Sequence, residues 1–413
     1  MNVILFEDDK VQQLYPATIG RSASEVSCGS YRLVELADRL GDPVRALVRP
    51  HLRQTLQADL PELVAGPLRP DGPVLAVNAR LLPSAGVIQR LAGMARQDRP
   101  AVFRFHDDVA AVVLGPQHAL PGEDEIVGRD PASWLDPLGL DVIDADLPLL
   151  QYPHDLIRYH PAALAENLED RLARGQYKEI ADGVFAASSA SLGQYVVTDT
   201  SEGPIVLEAD ASVGPHCFLS GPIHVGPRSR IIEHAAVKDA VALGHTCKIG
   251  GELENSIVEP YTNKQHHGFL GHSYLGSWVN LGAGTCNSDL KNTYGQVGME
   301  YGGRRVATGM QFIGCIIGDY AKTAVNTSIF TGKTIGACTM VYGFVTTNVA
   351  SFVNYARLFG QVTEAPVDVM IATQARMFAR RNVPQRDCDV QLLRDMYELT
   401  RHERQLAVEP LSL

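Results

Sequence analysis

Three histidines and three asparagines are concentrated among several glycines in residues 263–287. The polar residues are Asn263, His266, His267, His272, Asn280 and Asn287. An imidazole titrates near neutral pH, so it can take a proton from a reacting group. Glycines let a ligand come close to the backbone, and amide side chains both donate and accept hydrogen bonds. This segment is therefore the first candidate for acid–base chemistry.

The element that positions this segment is indicated by aliphatic residues at every sixth position. The first run is Leu207, Val213, Leu219, Val225, Ile231, Val237, Leu243 and Ile249. A period of six matches neither a helix nor a simple strand, and it indicates a repeat architecture. Each hexad predicts one short strand and one turn. Three hexads make a coil of about eighteen residues, and coils stack at the ~4.8 Å strand spacing. The pattern predicts a parallel β-helix.

The same period returns twice later in the chain. The second run is Ile257, Asn263, Phe269, Leu275 and Leu281, and the third is Ile317, Thr323, Ile329, Ile335, Val341 and Thr347. Between these runs, residues 288–311 lack the period and are expected to form a loop pushed out of the coil. Long loops in compact repeats are commonly functional or disordered. Cys217 and Cys247 share one place in their hexads, and we expect both to pack inside the coil.

Composition excludes several classes of function. The chain has 413 residues, 45% of them hydrophobic, which predicts two or three domains. A net charge of −11 without a long basic stripe argues against a nucleic-acid partner. The seven cysteines have no CxxC spacing, so neither disulfides nor a structural zinc site is predicted. No segment reaches the ~18 apolar residues of a membrane span, and the opening apolar run is too short for a signal sequence. We expect a cytoplasmic protein without a membrane partner.

The first 150 residues have a different pattern. Short aliphatic runs at 3–6, 74–77 and 110–114 alternate with helix-like segments at 31–40 and 85–95. Such alternation predicts a parallel sheet covered by helices, which is a Rossmann-like α/β domain.

Helical patterns also follow this domain and end the chain. Residues 155–174 have helical spacing, with Pro161 placed to begin a second helix. Two amphipathic segments, 366–381 and 389–405, are separated by Asn382-Val383-Pro384. We expect these C-terminal helices to cover an end of the coil or a neighbour, since open sheet edges invite aggregation.

The candidate segment resembles the acetyltransferase half of the bifunctional UDP-N-acetylglucosamine pyrophosphorylase/glucosamine-1-phosphate N-acetyltransferase family. The matching residues are His266, Phe269-Leu270-Gly271, Asn280-Leu281-Gly282-Ala283-Gly284-Thr285 and Cys286-Asn287. With Asn263-Lys264 and Ala379-Arg380-Arg381-Asn382, nearly the full chain resembles a divergent branch of sugar nucleotidyltransferases of this type. The resemblance implies a left-handed β-helix, and a homotrimer whose clefts lie between adjacent β-helices.

The resemblance also implies roles for single residues. His266 would be the general base that takes a proton as an amine attacks the thioester of acetyl-CoA, with His267 as the alternative. The implied contacts are Asn280 and Asn287 with the sugar, Ala283 with acyl-CoA, and Lys238 with the sugar phosphate. Two family residues are replaced here: Phe269 occupies the position of a phosphate-contacting tyrosine, and Ser256 occupies the position of a lysine. Lys264, Arg304 or Arg305 is expected to supply the missing positive charge.

The first domain lacks the usual phosphate-binding features of nucleotidyltransferases. The first strand leads into Phe6-Glu7-Asp8-Asp9-Lys10 instead of a glycine-rich loop, and the third leads into Asn78-Ala79-Arg80 instead of a magnesium-binding aspartate. The cationic candidates for a nucleotide phosphate are Lys10, Arg21 and Arg80, and the metal candidates are Glu7, Asp8 and Asp9. We expect a degenerate domain, which would need Mg²⁺ and UTP only if active.

Together these patterns predict an α/β nucleotidyltransferase-like domain (1–150), a helical linker (151–182), a left-handed β-helix (183–350) and a helical tail (351–413). The predicted function is acyl transfer from acetyl-CoA to an amino sugar or its 1-phosphate, without a metal. One alternative is an active bifunctional enzyme that makes UDP-N-acetylglucosamine. Another is a zinc hydratase like the γ-class carbonic anhydrases, using His267, His272 and a third histidine such as His245. The last is a non-enzymatic trimeric scaffold.

Overall fold

The chain folds as an α/β domain, a long linker helix, a β-helix and C-terminal helices. A computed structural model describes residues 1–65, 72–97 and 99–405. This order confirms the predicted fold class, including the left-handed parallel β-helix. The boundaries at residues 150, 182 and 350 stay predictions, and residues 406–413 of the expected tail lie outside the described ranges.

The first domain is built on a six-stranded sheet. Its strands are β1 (Asn2–Phe6), β2 (Val44–Leu47), β3 (Val74–Asn78), β4 (Ala101–Phe105), β5 (Asp108–Leu114) and β6 (Asp141–Asp144). They lie in the order β2–β1–β3–β5–β4–β6, and β5 runs antiparallel to both neighbours. The predicted parallel sheet is confirmed for the pairs β1–β2, β1–β3 and β4–β6, and β5 is the antiparallel exception. His106 and Asp107 join β4 to β5, and a two-residue connection forces antiparallel pairing.

Helices cover both faces of this sheet. They are Leu33–Leu36, Arg53–Asp59, Glu62–Ala65, Ala85–Ala95, Glu123–Ile126 and Ala132–Leu135. The helix expected at 85–95 is confirmed. The one expected at 31–40 is a single α-turn that continues as the 3₁₀ turn Ala37–Arg39.

The linker is one continuous helix, His154–Arg174. Pro161 lies inside it, so the prediction that Pro161 begins a second helix was wrong. His160 is fully buried and touches both domains. Its Nδ1 accepts a hydrogen bond from the Gly29 backbone N–H at 3.1 Å, and its Nε2 donates to the Ala240 carbonyl at 2.9 Å. The helix thus joins the first domain to the β-helix.

Each full coil of the β-helix has three sides. Each corner takes the number of the side before it, so the first corner follows the first side. First-side strands are Val184–Ala186, Ile205–Leu207, Ile223–Val225, Tyr274–Leu275, Cys315–Ile317 and Lys333–Ile335. Second-side strands are Ser191–Leu192, Ser212–Val213, Arg230–Ile231, Lys248–Ile249, Asn263–Lys264, Lys322–Thr323, Met340–Val341 and Val353–Ala356. Third-side strands are Val197–Asp199, Phe218–Ser220, Phe269–Gly271, Cys286–Asn287, Ser328–Ile329 and Phe344–Val345. Ala236–Leu243 and Glu252–Val258 each run from the third side into the first side of the next coil.

Parallel pairing between successive coils buries one column of side chains inside each side. Every residue of the first predicted run is buried in this core, as are Cys217 and Cys247. The first three residues of the second run are one residue out of frame, because Val258, Lys264 and Leu270 point inward instead of Ile257, Asn263 and Phe269, whereas Leu275 and Leu281 are buried as predicted. Residues 250–251 and the single residue Asn255 make shortened corners that the six-residue count misses. At the end of the third run, Val345 is buried and Thr347 is exposed.

The segment expected as a loop, 288–311, contains an antiparallel hairpin. Its strands are Gly298–Tyr301 and Arg304–Ala307. Tyr301 stacks on Tyr152 and on His154, and its hydroxyl lies 2.9 Å from His154 Nδ1. The insertion therefore packs against the start of the linker helix, and this side of it is ordered by aromatic contacts.

The C-terminal helices are Val367–Arg380, Asp387–Leu399 and Arg401–Gln405. Phe378 packs on Trp278 of the first corner, with ring centroids 4.5 Å apart. The short strand Gln361–Glu364 pairs antiparallel with Val353–Ala356 at the last coil. The expectation that the tail packs on the coil is confirmed at these contacts. No helix in the described part of the chain is long and apolar enough to cross a membrane.

Candidate functional site

The predicted site residues are distributed around one edge of the β-helix. His266, His267 and Ala283 lie on the second corner, between the second and third sides. Phe269 and Lys238 face outward from the third side, and Asn280 faces outward from the second side. The structure therefore gathers the histidines and Ala283 along one corner, with the other three residues on the sides that meet there.

His266 is exposed on this corner. Among the described residues, none forms a hydrogen bond with its ring. Its backbone carbonyl accepts a hydrogen bond from Lys264 Nζ at 2.9 Å, which fixes the chain beneath it. The imidazole is therefore free to meet a substrate or a second subunit.

A column of glycines makes the second corner narrow. Gly251, Gly268 and Gly284 have φ values of 73°, 126° and 74°. A Cβ on Gly268 would lie 2.1 Å from the Thr285 carbonyl oxygen, so only glycine fits there. The other two glycines are also closely packed, since a Cβ on Gly284 would lie 2.1 Å from Asn326 Oδ1 and one on Gly251 2.9 Å from Lys264 Nζ.

Two predicted site residues point into the coil instead. Lys264 is 2% exposed, and its Nζ donates to the carbonyls of Gly250 and His266 at 2.8 and 2.9 Å. Burial lowers the Lys264 pKa to about 8. Asn287 is 6% exposed, and its amide is bound to the Gly271 backbone N–H and carbonyl at 2.9 and 3.0 Å. Both side chains stabilise the coil that carries the corner.

The charge of Lys238 is already compensated on the third side. Its Nζ lies 2.8 Å from Glu252 and 3.6 Å from Glu254. The hydrogen bond that Lys238 donates to Glu252 raises the Lys238 pKa, so the ammonium is held in its charged form by this pair. The hairpin arginines Arg304 and Arg305 are exposed.

Sequence reasoning missed one polar pair, His272 and Asp289. His272 Nδ1 lies 2.8 Å from Asp289 Oδ2 at the third corner, and the ring also stacks on Phe312. The Asp289 carboxylate accepts a hydrogen bond from Nδ1–H, so Nε2 is the ring nitrogen that remains for other partners. The two residues are 17 positions apart, about one coil. That spacing is the signal that would have found the pair.

The histidines of the zinc alternative are on three different corners. His245 is on the first corner, His267 on the second and His272 on the third. His245 packs on Tyr261, and burial lowers its pKa to about 4. Within the described ranges, no three histidine, cysteine or carboxylate side chains are grouped as metal ligands. One chain therefore does not bring these three imidazoles together.

The first domain has a cleft of about 420 Å³ at the ends of its strands. Arg80 is completely buried beneath it, and its Nη2 lies 2.6 Å from Asp8 and 3.4 Å from Asp108. Lys10 pairs with Asp108 across the cleft. Burial acts to raise the Asp108 pKa, but hydrogen bonds from Lys10 and Gln151 lower it overall. Lys10 and Arg80, two of the predicted phosphate contacts, are therefore both paired with carboxylates of this domain.

The third predicted phosphate contact, Arg21, is far from this cleft. Its guanidinium lies 3.4 Å from Glu259 and 2.5 Å from Asp319, both residues of the β-helix. Arg21 thus ties the two domains together, and the structure does not bring it near Lys10 and Arg80.

The predicted metal ligands of the first domain do not form a magnesium site. Glu7 is buried against Arg49, with Nε at 2.9 Å, and Asp8 is bound to Arg80 and Asn78. Asp9 is left at the cleft, where burial and the nearby Asp8 and Asp130 raise its pKa. A protein usually holds Mg²⁺ with one or two free carboxylates together with waters and substrate phosphates, and of these three residues only Asp9 is not paired with an arginine.

The fold and the two regions define a class of protein: a sugar nucleotidyl transferase domain followed by a hexapeptide-type β-helix. Residues 3–174 match the family model described as "Sugar nucleotidyl transferase". This match covers the first domain and the whole linker helix. The similarity of this part of the chain to sugar nucleotidyl transferases, which the sequence predicted, is confirmed.

Particular relatives are bifunctional proteins. A "Bifunctional sugar-1-phosphate nucleotidylyltransferase/acetyltransferase" of Sulfurisphaera tokodaii is 27% identical over 156 residues, which are 37% of this chain and 39% of that protein. "Bifunctional protein GlmU" of Synechococcus elongatus is 29% identical over 168 residues, 36% of this chain and 33% of that protein. The chain thus spans little more than a third of the length of these relatives. The predicted resemblance to bifunctional nucleotidyltransferase/acetyltransferase proteins is confirmed at this low identity.

Solved structures of acyltransferases resemble the chain only loosely. A UDP-N-acetylglucosamine acyltransferase of Francisella novicida covers 57% of this chain and 79% of its own, at 14% identity and a TM-score of 0.28.

Proposed function

We propose that the β-helix transfers the acetyl group of acetyl-CoA to the amine of an amino sugar or an amino-sugar 1-phosphate. The observation that carries this proposal is the exposed, unbonded ring of His266 beside the glycine column of the second corner. In the reaction, the amine forms a C–N bond with the thioester carbonyl, the C–S bond breaks, and coenzyme A leaves as its thiol. His266 accepts the proton that the amine loses and then returns it to the leaving sulfur.

Other residues support this site from their observed positions. Ala283 has a small side chain on the same corner, which suits the close approach of acyl-CoA. Asn280 is exposed on the adjoining second side, where its amide is available to sugar hydroxyls. Phe269 offers an apolar face on the third side. Lys264 and Asn287 act indirectly in this proposal, since their bonds hold the backbone of the corner.

We expect the site to be completed by a homotrimer. Several large apolar side chains are exposed on or beside the third side: Val197, Phe218, Val325, Phe330 and Phe344. Burying these side chains against a second chain would remove their apolar surface from water. Self-association through the third side would cover these residues and place a neighbouring chain beside His266.

Thiol release from acetyl-CoA in the presence of glucosamine 1-phosphate tests the proposed activity. His266→Ala is expected to lower kcat by roughly 10²–10⁴-fold, because the general base is removed. His267→Ala is the matched control, since His267 is an exposed neighbour on the same corner, and it should keep activity within a few-fold. Equal losses in the two variants, or full activity in His266→Ala, would contradict the assignment. No thiol release over a panel of amino sugars would favour a scaffold.

We propose that the first domain does not transfer a uridylyl group. The Arg80–Asp8 pair fills the end of the first strand, and the remaining cleft is rich in carboxylates that repel a triphosphate. Pyrophosphate release from UTP and N-acetylglucosamine 1-phosphate with Mg²⁺ should stay at the level without protein. Magnesium-dependent release that Asp8→Asn abolishes would instead support the active bifunctional alternative.

A further inference from the structure

A second group of polar residues lies on the second side, next to the corner of His266. Lys248, Asn263 and Asn280 are in register in three successive coils and face outward. The helix Val367–Arg380 ends over them. Arg381, the next residue, donates from Nη2 to Asn263 Oδ1 at 2.6 Å, and Asn263 Nδ2 donates to Asn280 Oδ1 at 3.5 Å.

The positive charges of this group have no compensating carboxylate. Among the described residues, no Asp or Glu lies within ion-pair distance of Lys248, Arg380 or Arg381. Arg230, one coil before Lys248, differs because it pairs with Glu233 at 3.7 Å. The contrast matters because the chain carries a net charge of −11.

These cations also repel one another. Burial lowers the pKa of Lys248, and the charges of Arg381, Arg230 and Arg380 lower it further. Burial likewise lowers the pKa of Arg381, and Arg380 adds to that shift. A bound anion would relieve this repulsion, since an opposite charge favours the protonated forms.

Arg381 is suited to bind a phosphate group. A guanidinium presents five N–H donors in a planar fork that matches phosphate geometry. Asn263 accepts from one arm and fixes the plane of the fork, which leaves the other donors available. Asn263 is three residues before His266, so an anion held here would be close to the proposed base.

We propose that Lys248, Arg380 and Arg381, with Asn263 and Asn280, bind a phosphate group of one of the two substrates. This inference rests on the proposed acyl transfer and names the phosphate subsite for it. Two lysines that the sequence suggested for this role do not form a phosphate subsite, since Lys238 is paired with glutamates and Lys264 is inside the coil. The phosphate could belong to the amino-sugar 1-phosphate or to coenzyme A.

Isothermal titration of the full chain with four probes separates these sources. The probes are glucosamine 1-phosphate and coenzyme A, each with its phosphate-free counterpart, glucosamine and pantetheine. Arg381→Gln keeps a donor for Asn263 and removes the charge, and Lys248→Gln removes the second charge. Each substitution should weaken the binding of one phosphorylated probe at least tenfold. Affinity for that probe should also fall as salt screens the charges.

Matched controls are available on the same helix and on the coil. Arg376 is exposed on the helix Val367–Arg380 and bonds only to Thr373, so Arg376→Gln should leave every affinity unchanged. Lys178→Gln controls for loss of a coil lysine. A melting temperature close to that of the wild type would show that Arg381→Gln is folded.

Three results would overturn the proposal. The first is an unchanged affinity of the Arg381→Gln, Lys248→Gln double variant for every probe. The second is a loss of affinity that is equal for phosphorylated and unphosphorylated probes. The third is that the wild type binds none of the probes. The assay needs no acyl transfer. Phosphate binding that depends on Arg381, without thiol release, would therefore support this subsite and contradict the proposed function.

Discussion

His272 and Asp289 provide the main rival to His266 at the scale of single residues. A carboxylate that orients an imidazole is the usual arrangement of a catalytic base, and here it occurs at the third corner. The third side separates that corner from Ala283 and the glycine column. The geometry of the corners therefore favours His266 as the residue that meets acyl-CoA.

We predict that His272→Asn lowers kcat for thiol release by less than tenfold, because its ring is across the third side from the proposed acyl site. Steady-state kinetics beside His266→Ala gives the comparison. Asp289→Asn is the matched control, since it removes the orienting charge and keeps the His272 ring. A loss of 100-fold in both His272→Asn and Asp289→Asn would move the base to this pair.

The residue roles show what the sequence could and could not predict. His266, Phe269 and Asn280 lie on the outside of the coil, as their contacts in the motif require, although the hexad count had placed Phe269 inside. The motif could not show that Lys264 points inward, since a shift of one residue in a strand exchanges its two faces. Shortened corners before Lys264 caused that shift.

At the scale of elements, the coil carries an unusual interior residue. Lys264 occupies the same inward column as Ile249 and Leu281, and its ammonium has only backbone carbonyls as partners. Burial disfavours the charged form, which is why the Lys264 pKa falls from 10.5 to about 8.

This shift predicts a pH-dependent stability. The unfolded chain binds the Lys264 proton up to pH 10.5 and the folded chain only to about pH 8, so folding stability should rise with pH between these values. Lys264→Met lacks this titration. The free energy of unfolding of the wild type, relative to Lys264→Met, should increase by roughly 3 kcal/mol across that interval. Urea denaturation at several pH values measures it, and a difference that does not change with pH would contradict the buried ammonium.

Elements were predictable where a local pattern dominates. The helix at 85–95 and the first hexad run follow directly from periodic apolar residues. The β4–β5 hairpin was missed because His106 and Asp107 are not the turn residues that announce a two-residue connection. The linker helix continued through Pro161 because its packing on both domains outweighs the lost backbone hydrogen bond.

At the scale of the whole molecule, the linker helix, Arg21 and the C-terminal helices cover the first and part of the second side. The third side is left with exposed aromatic residues, among them Phe330 and Phe344, which are 49% and 54% exposed. The order of domains could be predicted from composition. Which side stays open could not, because it depends on contacts between distant segments such as Arg21 with Asp319.

We predict that Phe330→Asp combined with Phe344→Asp converts a trimer into monomers and abolishes thiol release, because charge on this face prevents its burial. Light scattering coupled to gel filtration measures the mass. Val142→Asp, at the exposed edge strand β6 of the first domain, is the matched control and should remain trimeric. A monomeric wild type that is fully active would contradict a site shared between chains.

The central claim is that the β-helix forms an amide with the acetyl group of acetyl-CoA. Mass spectrometry with isotopically labelled acetyl-CoA and a panel of amino sugars and their 1-phosphates tests it most directly. We predict that one amino sugar gains the labelled acetyl group on nitrogen, with one free thiol released per product, and that His266→Ala forms almost none. Thiol release without a labelled amide, or labelled product at an undiminished rate in His266→Ala, would contradict this account.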